Sequence, residues 1–259
     1  MIIATFNVNS LKMRLPALLA WLDLRKPDIV CLQELKLVDD AFPRLEIEAA
    51  GYNCAVHGQK TYNGVAILSK IPFDETAARL PGDDSDDQAR YIEVVVSSGF
   101  GPLRIASIYL PNGNPTPGPK YDYKLAWMAR LKTRTTNIMA AEEALILAGD
   151  FNVIPEDADV WDPASWAQDA LFLPQTRAAF RALTNLGLTD AYRSCHAEPG
   201  QYSFWDYQAG AWPKNHGIRI DHLLLSPQTA NRLKHAGIDR EPRGWEKPSD
   251  HVPVWCELE

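Results

Sequence analysis

At positions 144–152 the chain reads Ala144-Leu145-Ile146-Leu147-Ala148-Gly149-Asp150-Phe151-Asn152. The wholly apolar run up to Ala148 has the length of a buried strand. A strand that crosses a core and ends at Asp150 and Asn152 can present a carboxylate and an amide at a cleft, and Gly149 permits a tight turn or a close backbone approach. The same residues also fit a strand followed by an Asx-stabilised turn without a chemical role. These two alternatives can be distinguished by whether other strands of the chain also end at polar side chains.

Composition and charge indicate one globular domain that spans residues 1–259. The chain is 46% hydrophobic and 23% charged, and its 259 residues can bury a sizeable core. No apolar run approaches the ~18 residues of a membrane span, and Met1 to Phe6 reads as a strand, not as a secretion signal. The four cysteines form no CxxC pair, so we expect reduced thiols and a cytoplasmic protein. A net charge of -7 is unusual for a nucleic-acid binder, but an acidic metal site beside a local basic rim is compatible with it.

Apolar periodicity predicts that strands and helices alternate throughout the chain. Ser10 is expected to cap a helix whose apolar residues, from Leu11 to Leu22, recur at helical spacing. The predicted strands are 2–8, 28–32, 52–56, 64–69, 90–97, 103–110, 144–148, 218–225 and 252–258, and the predicted helices are 11–25, 40–50, 123–141 and 176–186. The segment 157–175 is expected to be irregular and the acidic run 83–87 to be a solvated loop. This alternation indicates an α/β fold with more than one sheet.

Six of these strands begin or end at a polar side chain that could take part in chemistry. The positions are Asn7, Glu34, Tyr109, Asp150 with Asn152, Asp221, and Asp250 with His251. Each of them alone has a structural explanation as a turn residue, a capping residue, a half-buried aromatic or a satisfied histidine. Their recurrence at strand ends favours a common site. Burying several carboxylates together is costly unless a cation lies among them.

The types of side chain in this set indicate a hard cation and a protonated histidine. Carboxylate and amide oxygens without a cysteine cluster favour Mg²⁺ or Mn²⁺ over zinc. If Asp221 accepts a hydrogen bond from one ring nitrogen of His251, it favours the imidazolium, and the other nitrogen can donate to a phosphate oxygen. Asp150 would then orient or deprotonate a water molecule that Asn152 positions. Such a set predicts hydrolysis of a phosphoester.

Five short segments also carry a family resemblance. They are Asn7-Val8-Asn9-Ser10-Leu11, Leu32-Gln33-Glu34-Leu35-Lys36, Gly149-Asp150-Phe151-Asn152, Arg219-Ile220-Asp221-His222 and Lys247-Pro248-Ser249-Asp250-His251-Val252-Pro253-Val254-Trp255. In this order they resemble the motifs of the exonuclease III family, the abasic-site endonuclease branch of the endonuclease/exonuclease/phosphatase superfamily. The resemblance implies a four-layer α/β sandwich, in which two packed mixed β-sheets are flanked by helices and the active site lies at one edge. One departure is Leu35, where the family often has threonine, and it is expected to change local packing and not the chemistry.

The resemblance further implies a role for each matching residue. The expected metal ligands are Glu34, as the main carboxylate, with Asn7, Asp150, Asn152 and Asp250. The expected catalytic residues are Tyr109, Asp150, Asn152, Asp221 and His251. The general base stays open between two candidates, which are Asp150 and the Asp221–His251 pair. The implied cofactor is Mg²⁺, and Mn²⁺ is expected to substitute for it.

The aromatic segment Tyr202-Ser203-Phe204-Trp205-Asp206-Tyr207, followed by Trp212, resembles the segment that the nuclease branch uses against the sugar of an abasic site. An aromatic pocket beside a phosphate site suits a deoxyribose without its base. For any one of these side chains, membership of an aromatic core cluster is the alternative. The expected DNA contacts are Lys36, Arg90, Asn112, Lys120, Trp205, Trp212 and Asn215. Each charged or amide group among them could equally be a solvated surface group.

Together these expectations predict a Mg²⁺-dependent DNA repair nuclease that acts as a monomer on double-stranded DNA. It would hydrolyse the phosphodiester 5′ to an abasic site and also process ordinary or blocked 3′ ends. Two alternatives stay open: a phosphoesterase of the same superfamily acting on a small phosphoester, and a catalytically inactive DNA-binding module. The aromatic segment disfavours the first alternative. An inactive module is expected to have lost metal or histidine positions, and none of the expected ones is missing.

Overall fold

Strands and helices alternate along the chain in the computed structural model, which describes residues 1–259. The strands are β1 (Ile2–Asn7), β2 (Ile29–Gln33), β3 (Asn53–His57), β4 (Val65–Ser69), β5 (Phe73–Ala78), β6 (Tyr91–Ser98), β7 (Gly101–Tyr109), β8 (Ala144–Asp150), β9 (Thr189–Asp190), β10 (Asp221–Leu225), β11 (Leu233–Ile238) and β12 (Val254–Leu258). The helices are α1 (Leu11–Arg25), α2 (Arg44–Ala49), α3 (Pro119–Ala140), α4 (Pro163–Trp166), α5 (Pro174–Thr184), α6 (Ala191–Cys195), α7 (Ala211–Lys214) and α8 (Pro227–Ala230). Short 3₁₀ turns cover Asp39–Ala41, Asp157–Asp159 and Glu241–Gly244. None of the helices combines the length and the apolar character that crossing a membrane requires.

The strands form two mixed sheets of six strands each. The first sheet has the order β11-β12-β1-β2-β4-β3, and the second has the order β5-β6-β7-β8-β10-β9. One central pair in each sheet is parallel, namely β1 with β2 and β7 with β8. The other neighbouring strands are antiparallel. In each parallel pair the two carboxyl ends therefore lie at the same edge of the sheet.

The two sheets pack face to face, and helices cover both outer faces. Side chains alternate along β2, so that Ile29 and Cys31 lie in the core between the sheets, whereas Val30 and Leu32 pack towards α1. On the opposite outer face, apolar residues of α3 and α5, among them Trp127, pack against β7 and β8. Because both faces of the central strands are buried, these strands are apolar at nearly every position. The four-layer α/β sandwich expected from the sequence is confirmed.

Gly149 is explained by a close approach between strands and not by a tight turn. It lies within β8, in register with Ile108 of the parallel neighbour β7. A Cβ atom at this position would lie 1.9 Å from the carbonyl oxygen of Ile108. Of the two roles expected for this glycine, the close backbone approach is therefore the one that applies.

Several element boundaries differ from the predicted ones for identifiable reasons. Ser10 precedes α1 as expected, but its side chain makes no capping hydrogen bond, since its backbone φ is 84°. The helix predicted for 40–50 is divided at Pro43 into a 3₁₀ turn and α2, because proline has no N–H for a preceding helix. The strand predicted for 218–225 begins only at Asp221, and Ile218 makes isolated bridges to Val160 and Phe204. Leu35 is buried against the α1 layer, as expected of a packing position.

Three edge strands and the regular elements within the segment 157–175 were not predicted from the sequence. β9 has only two residues, β5 is exposed along most of its length, and β11 is only partly buried and lacks a clear apolar alternation, so the pattern that identifies half-buried strands is weak in all three. The segment 157–175 contains a 3₁₀ turn and the short helix α4, whose N-cap is the Asp162 side chain. This segment matters below, because its residues Trp166, Asp169 and Leu171 line the site.

Candidate active site

The two parallel strand pairs bring the predicted polar residues together at one end of the sandwich. Asn7 ends β1, and Glu34 directly follows β2. In the other sheet Tyr109 and Asp150 end β7 and β8, and Asp221 begins β10 in register with Asp150. The remaining members, in the loops after β8 and before β12, are Asn152, Asp250 and His251. The topology of the two sheets thus assembles a site from residues far apart in sequence.

Asn7 connects the two sheets through its side-chain amide. Its buried Nδ2 donates to Oε1 of Glu34 and to Oδ2 of Asp150, both at 2.9 Å. The Nζ atom of Lys36 lies 2.9 Å from Oε2 of Glu34. Burial acts to raise the pKa of Glu34, but Lys36 and Asn7 outweigh it and hold the pKa below its usual value. Glu34 is therefore ionised at neutral pH and available as a metal ligand.

The donor atoms at the centre of the site fit a hard divalent cation. One atom each of Glu34, Asp150 and His251 lies within 4.8 Å of the others. Asp250 faces the same cleft, and its Oδ1 accepts a hydrogen bond from Nδ2 of Asn9 at 2.9 Å. Apart from the histidine, these donors are carboxylate oxygens, which Mg²⁺ prefers as ligands. His251 is a poor ligand because it is protonated, as its surroundings show.

His251 is held as a cation between two carboxylates. Its Nδ1 lies 2.9 Å from Oδ2 of Asp221, and its Nε2 lies 3.7 Å from Oδ2 of Asp150. Burial opposes protonation, but Asp221 and, after it, Asp150 raise the pKa of His251 to about 10. The hydroxyl of Ser203 donates to the same oxygen of Asp221 at 2.6 Å. The predicted hydrogen bond between Asp221 and His251 is thus present. It engages Nδ1, so Nε2 is the ring nitrogen that faces Asp150.

Asp150 combines the two interpretations that its sequence left open. Its Oδ1 accepts the main-chain N–H of Asn152 at 2.9 Å, which forms the Asx turn. Its carboxyl group is buried, and burial raises its pKa to about 7 against the opposing effect of His251. A carboxyl group with a pKa near neutrality can both accept and release a proton. The turn therefore presents a group suited to general acid–base chemistry.

Two amides and a phenol complete the polar side of the site. Asn152 donates from Nδ2 to the carbonyl of Leu110 at 2.9 Å, and its Oδ1 accepts from Nδ2 of Asn112 at 3.2 Å. Burial and the negative charges of Glu34 and Asp150 raise the pKa of Tyr109 well above its usual value. Its hydroxyl group thus stays protonated and remains a hydrogen-bond donor.

These groups line a cleft of about 190 Å³ whose opposite wall was largely missed by the sequence analysis. The residues added by the structure are Asn114, Trp166, Asp169, Leu171, Phe204, Ile218 and Ile220. Phe204 belongs to the aromatic segment singled out above, and its ring packs edge-on against His251 at 4.9 Å between centroids. Trp166 and Leu171 come from the segment expected to be irregular, where no local pattern distinguishes a wall residue from a surface residue.

A second groove, of about 320 Å³, adjoins the cleft and contains three of the predicted DNA contacts. Arg90, Asn112 and Lys120 all line this groove. Asn112 and Asn114 line both the groove and the cleft. Lys36 lies on the other side of the site, beside Glu34. The cationic candidates are thus arranged around the acidic centre despite the negative net charge.

The expectation that Trp205 contacts DNA is wrong. Its side chain is 0% exposed, its Nε1 donates to Oδ1 of Asn215 at 3.2 Å, and its ring packs edge-on against Trp212 at 4.8 Å between centroids. Asn215 is also engaged by Arg240, which donates to the same oxygen at 2.8 Å. Trp205 therefore belongs to an aromatic core cluster, with Trp212 half-buried at its edge. Its neighbour Phe204 is the member of the segment that reaches the cleft.

Comparisons with known proteins agree with this geometry. Residues 4–251 match the sequence model of the Endonuclease/Exonuclease/phosphatase family. The chain is 33% identical to exodeoxyribonuclease III of Haemophilus influenzae over 98% of both chains. The structure of the 3′ phosphatase NExo from Neisseria bound to a product DNA hairpin has a TM-score of 0.96 at 40% identity, over 100% of this chain and 99% of that one. An AP endonuclease from Archaeoglobus fulgidus has a TM-score of 0.95 at 33% identity, also over 100% of this chain and 99% of that one.

Proposed function

This chain belongs to the exonuclease III branch of the endonuclease/exonuclease/phosphatase family, and on that premise we propose that it is a DNA repair nuclease. It is a DNA phosphodiester hydrolase that nicks duplex DNA 5′ to abasic sites, trims 3′ ends and removes groups that block them. The names of its relatives, an exodeoxyribonuclease, a 3′ phosphatase and an AP endonuclease, support each of these activities. We propose that residues 1–259 form one domain and that the protein acts as a monomer.

One observation carries the proposal. The buried carboxyl group of Asp150 lies between the amide of Asn7 and the ring of His251, at a cleft that adjoins the groove lined by Arg90 and Lys120. An acid–base centre next to a cationic groove is what cleavage of a polyanion requires. A small phosphoester would need the cleft but not the groove, and an inactive binding module would not need the acid–base centre.

In the proposed reaction the chain's own residues bind the phosphate and move a proton. Asp150 accepts the proton of the attacking water, which Asn152 positions, while the bond between phosphorus and the leaving 3′ oxygen breaks and that oxygen takes up a proton from the solvent. His251 and the protonated Tyr109 donate hydrogen bonds to phosphate oxygens, where negative charge grows in the transition state. Phe204 packs against the sugar.

The residues proposed to hold Mg²⁺ are Glu34, Asp150 and Asp250 with the amides of Asn7 and Asn152. When bound, the cation supplies Lewis-acid stabilisation of the charge on the phosphate. Mn²⁺, which takes similar oxygen ligands, is proposed to replace it. The four cysteines are free, which is consistent with the cytoplasmic location that we propose.

The test is a gel assay of three duplexes, one with an abasic site, one intact and blunt, and one with a 3′-phosphate. We expect the wild-type chain to process the abasic and the 3′-phosphate duplexes with Mg²⁺ and to be inactive with EDTA. Asp150→Asn should abolish cleavage, whereas its binding of the abasic duplex, measured by fluorescence anisotropy, should be largely retained. Asp23→Asn, on the exposed face of α1, is the matched control and should cleave like wild type. Cleavage that persists in EDTA contradicts the metal requirement, and an active Asp150→Asn variant contradicts the role of Asp150.

A further inference from the structure

Helix α3 contributes a buried lysine to the site that none of the roles above uses. Lys124 is 0% exposed, although lysine is rarely fully buried. Its Nζ donates to the main-chain carbonyl of Asn152 at 2.6 Å and to that of Asn112 at 3.0 Å. Both of these partners are neutral oxygens and not carboxylates. Burying an ammonium group with such partners is costly, and burial lowers the pKa of Lys124 to about 7 against the opposing charges of Asp150 and Asp169. Both hydrogen bonds persist in either protonation state, because a neutral amine also has two N–H groups.

The two carbonyls that Lys124 binds belong to loops that carry site residues. Asn112 lies in the loop after β7, and Asn152 lies in the loop after the parallel neighbour β8. A single side-chain nitrogen therefore ties together the loops at the carboxyl ends of the two strands. The side chains of the two asparagines are also joined, by the 3.2 Å hydrogen bond from Asn112 to Asn152.

The backbone of both loops packs around the lysine. Asn152 has a φ of 47°, a left-handed conformation that asparagine adopts more often than most non-glycine residues, and the hydrogen bonds of its N–H to Asp150 and of its carbonyl to Lys124 hold it there. Gly113, next to Asn112, has a φ of 93°, and a Cβ atom there would lie 2.7 Å from Cδ of Lys124. The first loop is therefore folded directly onto the stem of the lysine, while the side-chain nitrogen holds the second.

We propose that Lys124 is a positioning residue of the nuclease site. By holding the main chain at Asn112 and Asn152, it directs their side-chain amides towards the phosphate, without itself touching the substrate. This inference rests on the proposed function, because it assigns Lys124 a part in the same reaction. Misplacing a catalytic group by about 1 Å costs on the order of 10²-fold in rate, which sets the size of the expected effect.

The first experiment compares Lys124→Met with wild type in steady-state cleavage of the abasic duplex. Methionine keeps the apolar stem and removes both hydrogen bonds, so we expect kcat to fall about 10²-fold while KM stays close to wild type. Lys124→Gln, which can still donate to one carbonyl, should recover part of the lost kcat. Thr135→Val is the control on the same helix: Thr135 is buried and bonds only within α3, to Leu131, and its kcat should equal that of wild type.

A multiple-mutant comparison separates positioning from general damage to the fold. If Lys124 acts through Asn112 and Asn152, then adding Lys124→Met to a variant that already carries Asn112→Ala and Asn152→Ala should slow cleavage no further. Losses that multiply, or a wild-type kcat for Lys124→Met, would overturn the inference. If thermal unfolding shows that Lys124→Met is not folded at the assay temperature, the same comparison is made with Lys124→Gln. A wild-type chain that does not cleave DNA refutes the proposed function instead, so the two failures are distinguishable.

Discussion

Asp150 and His251 both have raised pKa values, but for different physical reasons. Burial destabilises the carboxylate of Asp150 and raises its pKa to about 7, whereas the negative charge of Asp221 stabilises the imidazolium and raises the pKa of His251 to about 10. One group is thus ready to exchange a proton near neutral pH, and the other is a fixed cation. This division suits a reaction in which one residue moves a proton and another stabilises charge.

Replacing Asp221 tests this division directly. Asp221→Asn keeps the shape of the side chain but removes the charge that stabilises the His251 imidazolium. We expect kcat for cleavage of the abasic duplex at pH 7.5 to fall by about 10²–10⁴-fold, the usual contribution of such a group. Ser203→Ala removes hydrogen bonds to the Asp221 carboxylate and to the main-chain N–H groups of Ile220 and Asp221 but keeps the charge of Asp221, so it should cause a smaller loss of kcat. An Asp221→Asn variant as active as Ser203→Ala would show that the charge is not required.

The neighbours Phe204 and Trp205 are expected to respond differently to replacement by alanine. Phe204 lines the cleft, so Phe204→Ala should reduce nicking at an abasic site more than trimming of an ordinary 3′ end, since only the former requires the sugar without its base to be held. Trp205 is a core residue, so Trp205→Ala should cost about 3–5 kcal/mol of unfolding free energy in urea and reduce both activities alike. A selective loss of abasic-site nicking in Trp205→Ala, or equal losses of both activities in Phe204→Ala, would contradict the assignment of Phe204 to the cleft and Trp205 to the core.

The parallel pair of β7 and β8 is the element on which the site depends most. Its carboxyl end carries Tyr109 and Asp150, and the loops that follow it carry Asn112 and Asn152. The two strands approach so closely at Gly149 that no side chain fits there. The separation of these strands therefore sets the position of Asp150 relative to Tyr109.

Gly149→Ala should damage both stability and catalysis. The added methyl group would collide with the backbone of Ile108 and force the strands apart, a form of overpacking that costs about 1–3 kcal/mol or more. We expect a lower urea midpoint together with a reduced kcat. Gly99→Ala, in the turn between β6 and β7 where a Cβ atom meets nothing within 4 Å, is the matched control. Cleavage by Gly149→Ala at the wild-type rate would contradict the coupling between strand spacing and Asp150.

A buried ionic network joins distant parts of the whole molecule below the site. Arg219 donates to Asp159 and to Asp190, both at 2.8 Å, and its Nη1 lies 3.0 Å from Nδ1 of His222. Since arginine can only donate, Nδ1 of His222 accepts, and its Nε2 carries the proton that is donated to the carbonyl of Val153 at 3.1 Å. His222 is therefore neutral, and burial and then Arg219 lower its pKa to about 4.

This neutral histidine should make the stability of the fold depend on pH. In the unfolded chain histidine titrates near 6.5, so between about pH 6.5 and 4 the unfolded state binds a proton that the folded state does not. The contribution of His222 is thus complete above pH 6.5 and declines as the pH falls, by about 2 kcal/mol between pH 7 and 5. The measurement is urea unfolding of wild type and His222→Gln at both pH values.

The comparison uses the difference in unfolding free energy between wild type and His222→Gln. It is needed because the raised pKa of Asp150 makes the folded state more stable as the pH falls from 7 to 5, which is opposite to the effect of His222. Compared with wild type, His222→Gln should lose less stability, or gain more, on going from pH 7 to 5. His235→Gln, on the exposed side of β11, should follow wild type. Parallel behaviour of wild type and His222→Gln would show that His222 is not held neutral in the folded state.

Local pattern was enough to predict the α/β class and the main polar residues of the site. Buried strands such as β2 and β8 are apolar up to their last residues, and a polar residue such as Asp150 or Asn7 at the end of a strand is visible without any knowledge of its partners. Family motifs then supplied the expected roles and the four-layer arrangement. Edge strands such as β5 could not be found in this way, because one side of an edge strand lacks the burial that produces a pattern.

Tertiary packing decided which residues of a chemically promising segment face the cleft. Phe204 and Trp205 are adjacent aromatics that sequence cannot rank, and only the bridges of Phe204 to Ile218 and His251 direct one to the cleft and leave the other in the core. The sequence of α3 does not distinguish Lys124 from the other basic residues of this helix. Lys124 enters the site because α3 packs across the ends of β7 and β8. Trp166 and Gly149 likewise acquire their roles from residues distant in sequence. Such roles depend on distances between elements, and these distances arise only when the layers pack together.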